Sequence, residues 1–505
     1  MKKLICLALA LVMVLLSFGM MSCDGNDGPD INTDGDVPTF GGATIRVSVS
    51  DSQNPQTTFS SAKKFTQGVD GATQDAVLKA VQVRNNSVAQ MLDIKVEYER
   101  TELTYDKVLE DVKTKRLNAS DKTRIDVYHN DIYGLTRAML AGYLANVADT
   151  SVQSFFKFDD GNWNTAYMNG STFDTSKIYL LAGDYHLDMI RYAYVIFTNV
   201  TQFNAAYSKE ASYRNYKSYA ELVDQIVGSG EWYYDDMMYL AREGHVDSKN
   251  SGITDQDDAR IGLCLNNLSP RIFLYGSGLS MMKQVNGKTM VLTDADITPF
   301  TELSSKYTAL FNTPGVLYIN DVLASTANFM NGTYIMSMAQ LGEMESTDMR
   351  NTDFQRGILP FPAYNDSQTL HTVIHDQAEI TAILGNTKSF AMSSAYMQYL
   401  NAESSAIHTA YYEDQLGFKY NTDVDNAKYV RDMIDVVWEH IDSPYDSLLV
   451  AYVCSTSQSA TMLWEIVQSD AQYKTTNFRS TFGEYQPAYQ TSLETILETY
   501  KTILK

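Results

Sequence analysis

Two short stretches alternate apolar and polar side chains, and a helical pattern lies between them. Ala43-Thr-Ile-Arg-Val-Ser-Val-Ser-Asp51 reads as a strand running into a polar loop. Val77, Val81, Val88, Met91 and Leu92 keep to one helical face, and Ile94-Lys-Val-Glu-Tyr98 alternates again. Strand, helix and strand in that order form a β-α-β unit. Parallel neighbours cannot be joined by a tight turn, so the helix must serve as the crossover. The chain is thereby committed to the α/β class.

The pattern recurs downstream. A helical stretch from about Tyr105 to Thr114 leads to Arg124-Ile-Asp-Val-Tyr128, a strand that stops at His129-Asn130-Asp131 before another helix. Ligands of such sheets lie at the carboxyl ends of strands, so the Asp51 loop and the Asn130-Asp131 turn are expected on one rim. Further strands are expected at Ile178–Asp184, Tyr194–Thr198, Gly262–Asn266, Tyr334–Met338 and within Thr372–Leu384. Helices are expected from Glu231, over Ser269–Leu279, Leu303–Phe311 and Asn320–Met330, and from about Ser393 to Asp442. Leu493, Ile496, Leu497, Tyr500, Ile503 and Leu504 make a terminal amphipathic helix. No internal repeat and no second linker interrupts the body, which suits two lobes joined by crossing strands.

The amino terminus has a different character. Lys2 and Lys3 precede the apolar run Leu4–Leu16, which has the length of an export signal and falls short of a membrane span. The run ends at Gly19-Met-Met-Ser-Cys23, which resembles a bacterial lipobox with Met20 and Met21 in place of the commoner residues. That resemblance implies acylation of Cys23 and a lipid anchor. Asp24 to Gly42 is acidic and nearly free of apolar residues, and reads as a flexible tether.

The formal net charge of −22 argues against nucleic acid or anionic lipid as a partner. Beyond the tether the only cysteines are Cys264 and Cys454, expected as free thiols rather than a disulfide framework. Tyrosine is abundant, at 34 residues, and pairs a flat apolar face with a hydroxyl. That suits a wet cleft for sugar-like ligands, although any one tyrosine can equally be a packing residue.

Several stretches resemble the family 1 extracellular solute-binding proteins of ABC importers, the group that includes maltose-binding protein. They are ATQDAVLKAVQVRNNSVAQMLDIKV, RIDVYHNDIYGLTRAMLAGYLANV, GEWYYDDMMYLARE, FMNGTYIMSM and FQRGILPFPAYNDSQTL, taken with the Ile178–Asp184 and Tyr194–Asn204 segments. The resemblance implies a two-lobed periplasmic-binding-protein-like (type II) α/β fold with hinge-crossing strands. It places residues 1–22 in a signal, 23–42 in a tether, 43–193 and 339–443 in a first lobe, and 194–338 and 444–505 in a second. It also implies a monomer on the extracytoplasmic face of the cell membrane. Such a protein takes a solute, a sugar or oligosaccharide first among them, to the membrane subunits of a permease.

The candidate ligand-binding residues are Asp51, Asp131, Trp163, Asp184, Arg271, Tyr275, Gln340, His375 and Trp464. Asp131 matches a ligand aspartate of sugar-binding members, and is equally placed to cap the helix that follows. Asp184 either meets ligand or turns the chain. Tyr275 and Trp464 match stacking positions of the family, and core packing is the rival for each. Arg271 is placed to read an anion or hydroxyls, with a surface ion pair as the rival, and Gln340 is placed to point into the cleft. His375-Asp376 interrupts an apolar segment, and a buried polar pair needs partners, so ligand contact and internal hydrogen bonding are both open. Trp163, in a polar loop, is either buried or stacked on ligand. Asp247–Asp258 has the outline of a calcium loop, but Lys249 and Ser251 stand at its third and fifth positions. It is read as a relic, with no metal and no cofactor.

No nucleophile elbow, zinc-protease motif, paired-cysteine motif or phosphate loop is present. The expected activity is reversible capture without covalent chemistry. A surface-anchored glycoside hydrolase stands as the alternative, since it needs only two carboxylates across a cleft.

Overall fold

The computed structural model describes residues 31–33, 37–50, 76–101, 103, 105–117, 120, 123–149, 154–207, 217–376, 378–416, 424–441, 447–455 and 461–504. Cys23 and Asp51, and with them the expected lipid attachment and the first rim aspartate, lie outside these residues. The described strands are β1 (Ala43–Ser50), β2 (Ile94–Thr101), β3 (Val127–Asp131), β4 (Tyr194–Asn199), β5 (Ile261–Asn266), β6 (Met282–Val285), β7 (Lys288–Val291), β8 (Val316–Ile319), β9 (Tyr334–Gln340), β10 (Arg356–Leu359) and β11 (Glu379–Ile383).

Two sheets define two α/β lobes. The first has the order β11-β3-β1-β2 and the second β10-β4-β9-β5-β8. β1 is parallel to both β2 and β3, with Val47 opposite Tyr98 on one side and Val127 on the other. Helices Ala76–Met91 and Tyr105–Leu117 make the crossovers. The apolar positions of β1, Ile45, Val47 and Val49, are fully buried, as are Val77, Val81 and Val88 of the first helix. In the second lobe β5 is parallel to β8 and β9, while β4 runs antiparallel to β9 and β10 antiparallel to β4. Gly262 lets β5 approach helix Tyr234–Gly244, for a Cβ there would lie 1.9 Å from the Ala241 carbonyl oxygen.

The lobes are joined by neighbouring chain segments near residues 192–194, 341 and 373–375. Tyr194 N–H donates to Val373 O (2.9 Å), His375 N–H to Tyr192 O (3.0 Å) and Leu341 N–H to Ala193 O (2.9 Å). Beside them lies a buried polar network. The Arg191 guanidinium meets Glu345 at 2.7 Å and Asp188 at 2.9 Å, and the Tyr411 hydroxyl donates to the same Glu345 oxygen at 2.9 Å.

Some expectations differ from the structure. Ile178–Asp184 is not a strand. Among the described residues its only bridges are Leu181 to Thr381 of the first sheet and Gly183 to Trp163. Residues 339–443 were expected with the first lobe, yet β10 pairs with β4 in the second sheet. Helix Ser447–Ser455, expected with the second lobe, packs on helix Ile132–Leu140 of the first. Helix Leu463–Tyr473 then returns to helices Ser269–Gly276 and Thr298–Phe311, and helix Phe478–Thr502 touches both groups, so the carboxyl-terminal segment spans the lobes. Cys264 is buried and Cys454 half-buried, and neither is in a disulfide. Among the described residues no helix is long and apolar enough to cross a membrane.

Candidate functional site

Residues from the carboxyl ends of strands in both sheets converge between the lobes. β3 ends at Asp131, whose carboxylate accepts the Gly134 N–H at 2.8 Å and caps helix Ile132–Leu140. The cap sets the direction of that helix, and Tyr133 in its first turn sends its hydroxyl to Asp376. On the facing lobe β5 ends at Asn266. Its side chain accepts the Leu268 N–H (3.0 Å) and its own N–H donates to Ser269 Oγ (2.8 Å). Helix Ser269–Gly276 starts there, with Pro270 in its first turn. Arg271 follows, and its Nη1 reaches the Asp376 oxygen that Tyr133 uses.

Asp376 itself lies beside the crossing segments, with its second oxygen 3.2 Å from His375 Nδ1. The His375 ring stands 5.8 Å from that of Tyr194. Trp464 comes from the carboxyl-terminal segment. Glu465 accepts the Met462 N–H at 2.7 Å and fixes the start of its helix. The Arg271 guanidinium lies over the Trp464 ring at 4.2 Å, and Tyr275 meets the same indole edge-on at 5.9 Å. Tyr275 and Trp464 also line an apolar pocket with Leu274, Leu279, Met281 and Tyr489. A second pocket, next to it along the chain at Ser280 and Met282, is formed by Gly170, Thr172 and Phe173 of the first lobe and by Met282, Lys283 and Gln284 of the β6–β7 hairpin.

Electrostatics divides the carboxyls. Burial pushes Asp131 up to about 7, and the nearby Asp376 and Glu379 charges add to the effect. Burial also opposes ionisation of Asp376, but Arg271 and His375 outweigh it and hold that carboxyl below its usual range. Burial pushes His375 down to about 4, so the ring is neutral near pH 7. Arg271 stays charged despite burial because Asp376 faces it. The Gln340 side chain is buried at the end of β9, directly across the ladder from Tyr194. Glu343, one turn further, is pushed up to about 7 by burial and accepts the Thr326 hydroxyl.

Asp131, Arg271, Tyr275, His375 and Trp464 are therefore gathered at one place, with Gln340 at its edge. Trp163 is not among them. It is 5% exposed, packs edge-on against Phe156 and Phe158, and donates its indole N–H to Gln398 at 3.0 Å, which makes it a core residue of the first lobe. Asp184 lies with it. Its N–H donates to Asn162 O, its carbonyl meets His408 Nε2 at 3.0 Å, and burial pushes its carboxyl up to about 7. Sequence reasoning missed Tyr133 and Tyr194 as members of the cluster. A tyrosine in the first turn after a strand end was the visible signal for Tyr133. Asp376 is marked in the sequence together with His375, as a polar pair inside an apolar segment, and it makes internal bonds to Tyr133 and Arg271.

The Asp247–Asp258 loop carries its own cation. Lys249 Nζ bridges Asp255 at 3.0 Å and Asp257 at 2.9 Å, while Asp247 accepts the Gly252 N–H at 2.7 Å and the Lys249 N–H at 2.9 Å. Asp258, at the twelfth position, is engaged by His245 at 2.8 Å.

No protein-family profile matches the sequence, and no curated protein matches it. Solved structures do match in shape. The binding protein for cyclic α-maltosyl-1,6-maltose from Arthrobacter globiformis superposes with a TM-score of 0.54 at 11% identity, covering 91% of this chain and 100% of that one. The galacto-N-biose/lacto-N-biose I-binding protein of an ABC transporter from Bifidobacterium longum, in complex with lacto-N-biose, gives 0.51 at 13% identity over 92% and 98%. A cyclo/maltodextrin-binding protein complexed with maltotetraose gives 0.50 at 13% over the same shares. The chain shares the two-lobed fold of these solute-binding proteins along nearly its whole length.

Proposed function

We propose that the protein is a solute-binding component of an ABC importer, that its ligand is a sugar or oligosaccharide, and that it binds without turnover. The observation that carries this reading is the convergence of polar and aromatic side chains from both lobes beside the crossing segments. Asp376 and Arg271 offer acceptors and donors suited to vicinal hydroxyls, and Trp464 and Tyr275 offer flat apolar surface. Arg271 occupies one face of the Trp464 ring, so a sugar stacking on that face displaces the guanidinium and takes up its bonds. Because Tyr133 and Arg271 hold one oxygen of Asp376 from opposite walls, ligand entry and lobe movement are coupled. The second pocket, at the β6–β7 hairpin, gives a longer saccharide room to extend.

On this reading the protein works on the extracytoplasmic face, anchored through an acylated Cys23, as a monomer that serves a membrane permease; the apolar run Leu4–Leu16 and the lipobox-like Gly19–Cys23 stretch support the anchor. Calorimetry and thermal shift with mono- and oligosaccharides, run beside product analysis of the same mixtures, test the reading. A ligand that raises the melting temperature, compacts the protein in solution scattering and is recovered intact supports it. Release of reducing sugar would establish the hydrolase instead.

A further inference from the structure

Behind the cleft, under the crossing segments, a second constellation is formed by groups the solute site does not use. We propose that His129, His186 and Glu379 form a buried site for a divalent transition-metal ion of the zinc class. One donor atom from each lies within 4.8 Å of the other two, and the residues are 0%, 3% and 3% exposed. The strand register brings two of them together. Thr381 lies opposite His129 and Glu379 opposite Asp131 in the antiparallel β3–β11 pair, so His129, Thr381 and Glu379 share one face. His129 Nε2 stands 3.1 Å from Glu379 Oε2, and the His186 ring closes on the His129 ring with centroids 4.6 Å apart.

The surroundings suit a metal in two respects. The His129 ring is fixed from its other side, with Nδ1 2.8 Å from Thr381 Oγ1. Such outer contacts orient ligating histidines and select their tautomer. His186 Nδ1 accepts the Asp188 N–H at 3.2 Å, which puts the ring proton on Nε2, and an ion bound at that nitrogen must release it. The second respect is charge. The network joins the carboxyl groups of Asp188, Glu345 and Glu379 to one guanidinium, Arg191, and two imidazoles. Buried charge is costly unless it is matched, and a dication would set positive charge among these carboxyl groups. Two imidazoles and one carboxylate are a zinc-type donor set and unlike the all-oxygen sets of calcium and magnesium. An ion here would tie β3, β11 and the chain at His186 together, next to Arg191 and Asp188, and so stiffen the base of the hinge.

The test uses the mature chain, unfolded in chelator, refolded without metal and then titrated with Co2+ and Zn2+. One tightly held ion per chain is expected, with visible Co2+ absorption of a nitrogen- and oxygen-ligated site and a higher melting temperature. His186→Ala and the size-conserving Glu379→Gln should lose the ion, while His245→Ala, in the distant Asp258 pair, should keep it. Refolded protein that takes up no stoichiometric ion and shows no Co2+ absorption overturns the proposal. Absorption that persists unchanged in Glu379→Gln overturns it as well, since the ion would then sit elsewhere. The unmodified chain carries the decisive reading if a variant fails to fold.

Discussion

Arg271 and Tyr133 approach one carboxylate oxygen of Asp376 from opposite lobes. Asp376 follows the segment in which His375 N–H bonds to Tyr192 O, so the bond that closes the cleft is anchored beside the crossing strands. Asp376→Asn keeps the shape but removes the charge that Arg271 faces. Hydrogen bonds to charged groups contribute about 1.5–3 kcal/mol. The expected result is a loss of that order in unfolding free energy by denaturant titration, together with a larger radius of gyration before any solute is added. An unchanged radius would mean that other contacts hold the lobes together.

The second expectation concerns pH and Asp131. Its carboxyl is pushed up to about 7 in the folded protein, mainly by burial, against an ordinary 3.8. Between those values the folded chain holds a proton that the unfolded chain has released. Stability from this group therefore falls as pH rises from about 4 to 7, and is level above that. Asp184 and Glu343 act in the same direction, and His129 and His375, pushed down to about 4, act in the opposite one below about 6.5. The comparison of Asp131→Asn with the unmodified chain isolates the one group. The variant keeps an N-cap side chain, and its melting temperature should gain on the parent as pH goes from 5 to 8. A constant difference across that range would contradict the assignment.

Much of the first lobe is legible in the sequence because its determinants are local. Ile45, Val47 and Val49 alternate, Val77, Val81 and Val88 follow one helix face, and both signals survive in the structure. The β6–β7 hairpin was equally local, with Asn286 and Gly287 at positive φ of 52° and 76° in its two-residue turn, and that dipeptide signal was overlooked. The cleft is another matter. Asp376 meets Arg271 across 105 residues and Tyr133 across 243, and no periodicity encodes such a meeting. Tyr275 and Trp464 were singled out through family resemblance and Arg271 from its place one helical turn before Tyr275, and the three do gather. Trp163 was singled out because a tryptophan in a polar loop demands cover, and Gln398, 235 residues away, provides it. The boundary of the first lobe failed at β10 for a similar reason, because the partner of a four-residue strand is chosen by the sheet it joins.

Trp464 offers an optical test of the solute site. The indole lies beneath Arg271 and beside Tyr275, whereas Trp163 and Trp232 are bonded to Gln398 and to Pro360 O in the interior. A bound sugar that displaces Arg271 changes the environment of Trp464 and leaves those two as they were. Trp464→Phe should therefore abolish most of the ligand-induced change in fluorescence, and Trp464→Ala should weaken binding by about 1–2 kcal/mol, on the scale of a lost aromatic contact. A full fluorescence response in the phenylalanine variant would place the solute elsewhere.

The acidic loop supplies the last prediction. Lys249 Nζ lies between Asp255 and Asp257, where a bound cation would draw on the same carboxylates. The unmodified protein should therefore show no change in melting temperature with millimolar Ca2+, since the ammonium already neutralises the site. Lys249→Asp restores an acidic third position and removes the resident cation, with Gly252 at a φ of 72° still supplying the sharp turn. That variant should be less stable than the parent in chelator and regain stability with Ca2+. Its affinity should be weak, about 10⁻⁴ to 10⁻³ M, because Ser251 offers only a neutral hydroxyl and Asp258 is held by His245 at 2.8 Å. Adding His245→Ala to Lys249→Asp frees the Asp258 carboxylate, and Ca2+ should then bind more tightly than to the single variant. If calcium has no effect on either variant, the backbone of the loop, and not Lys249, excludes the ion.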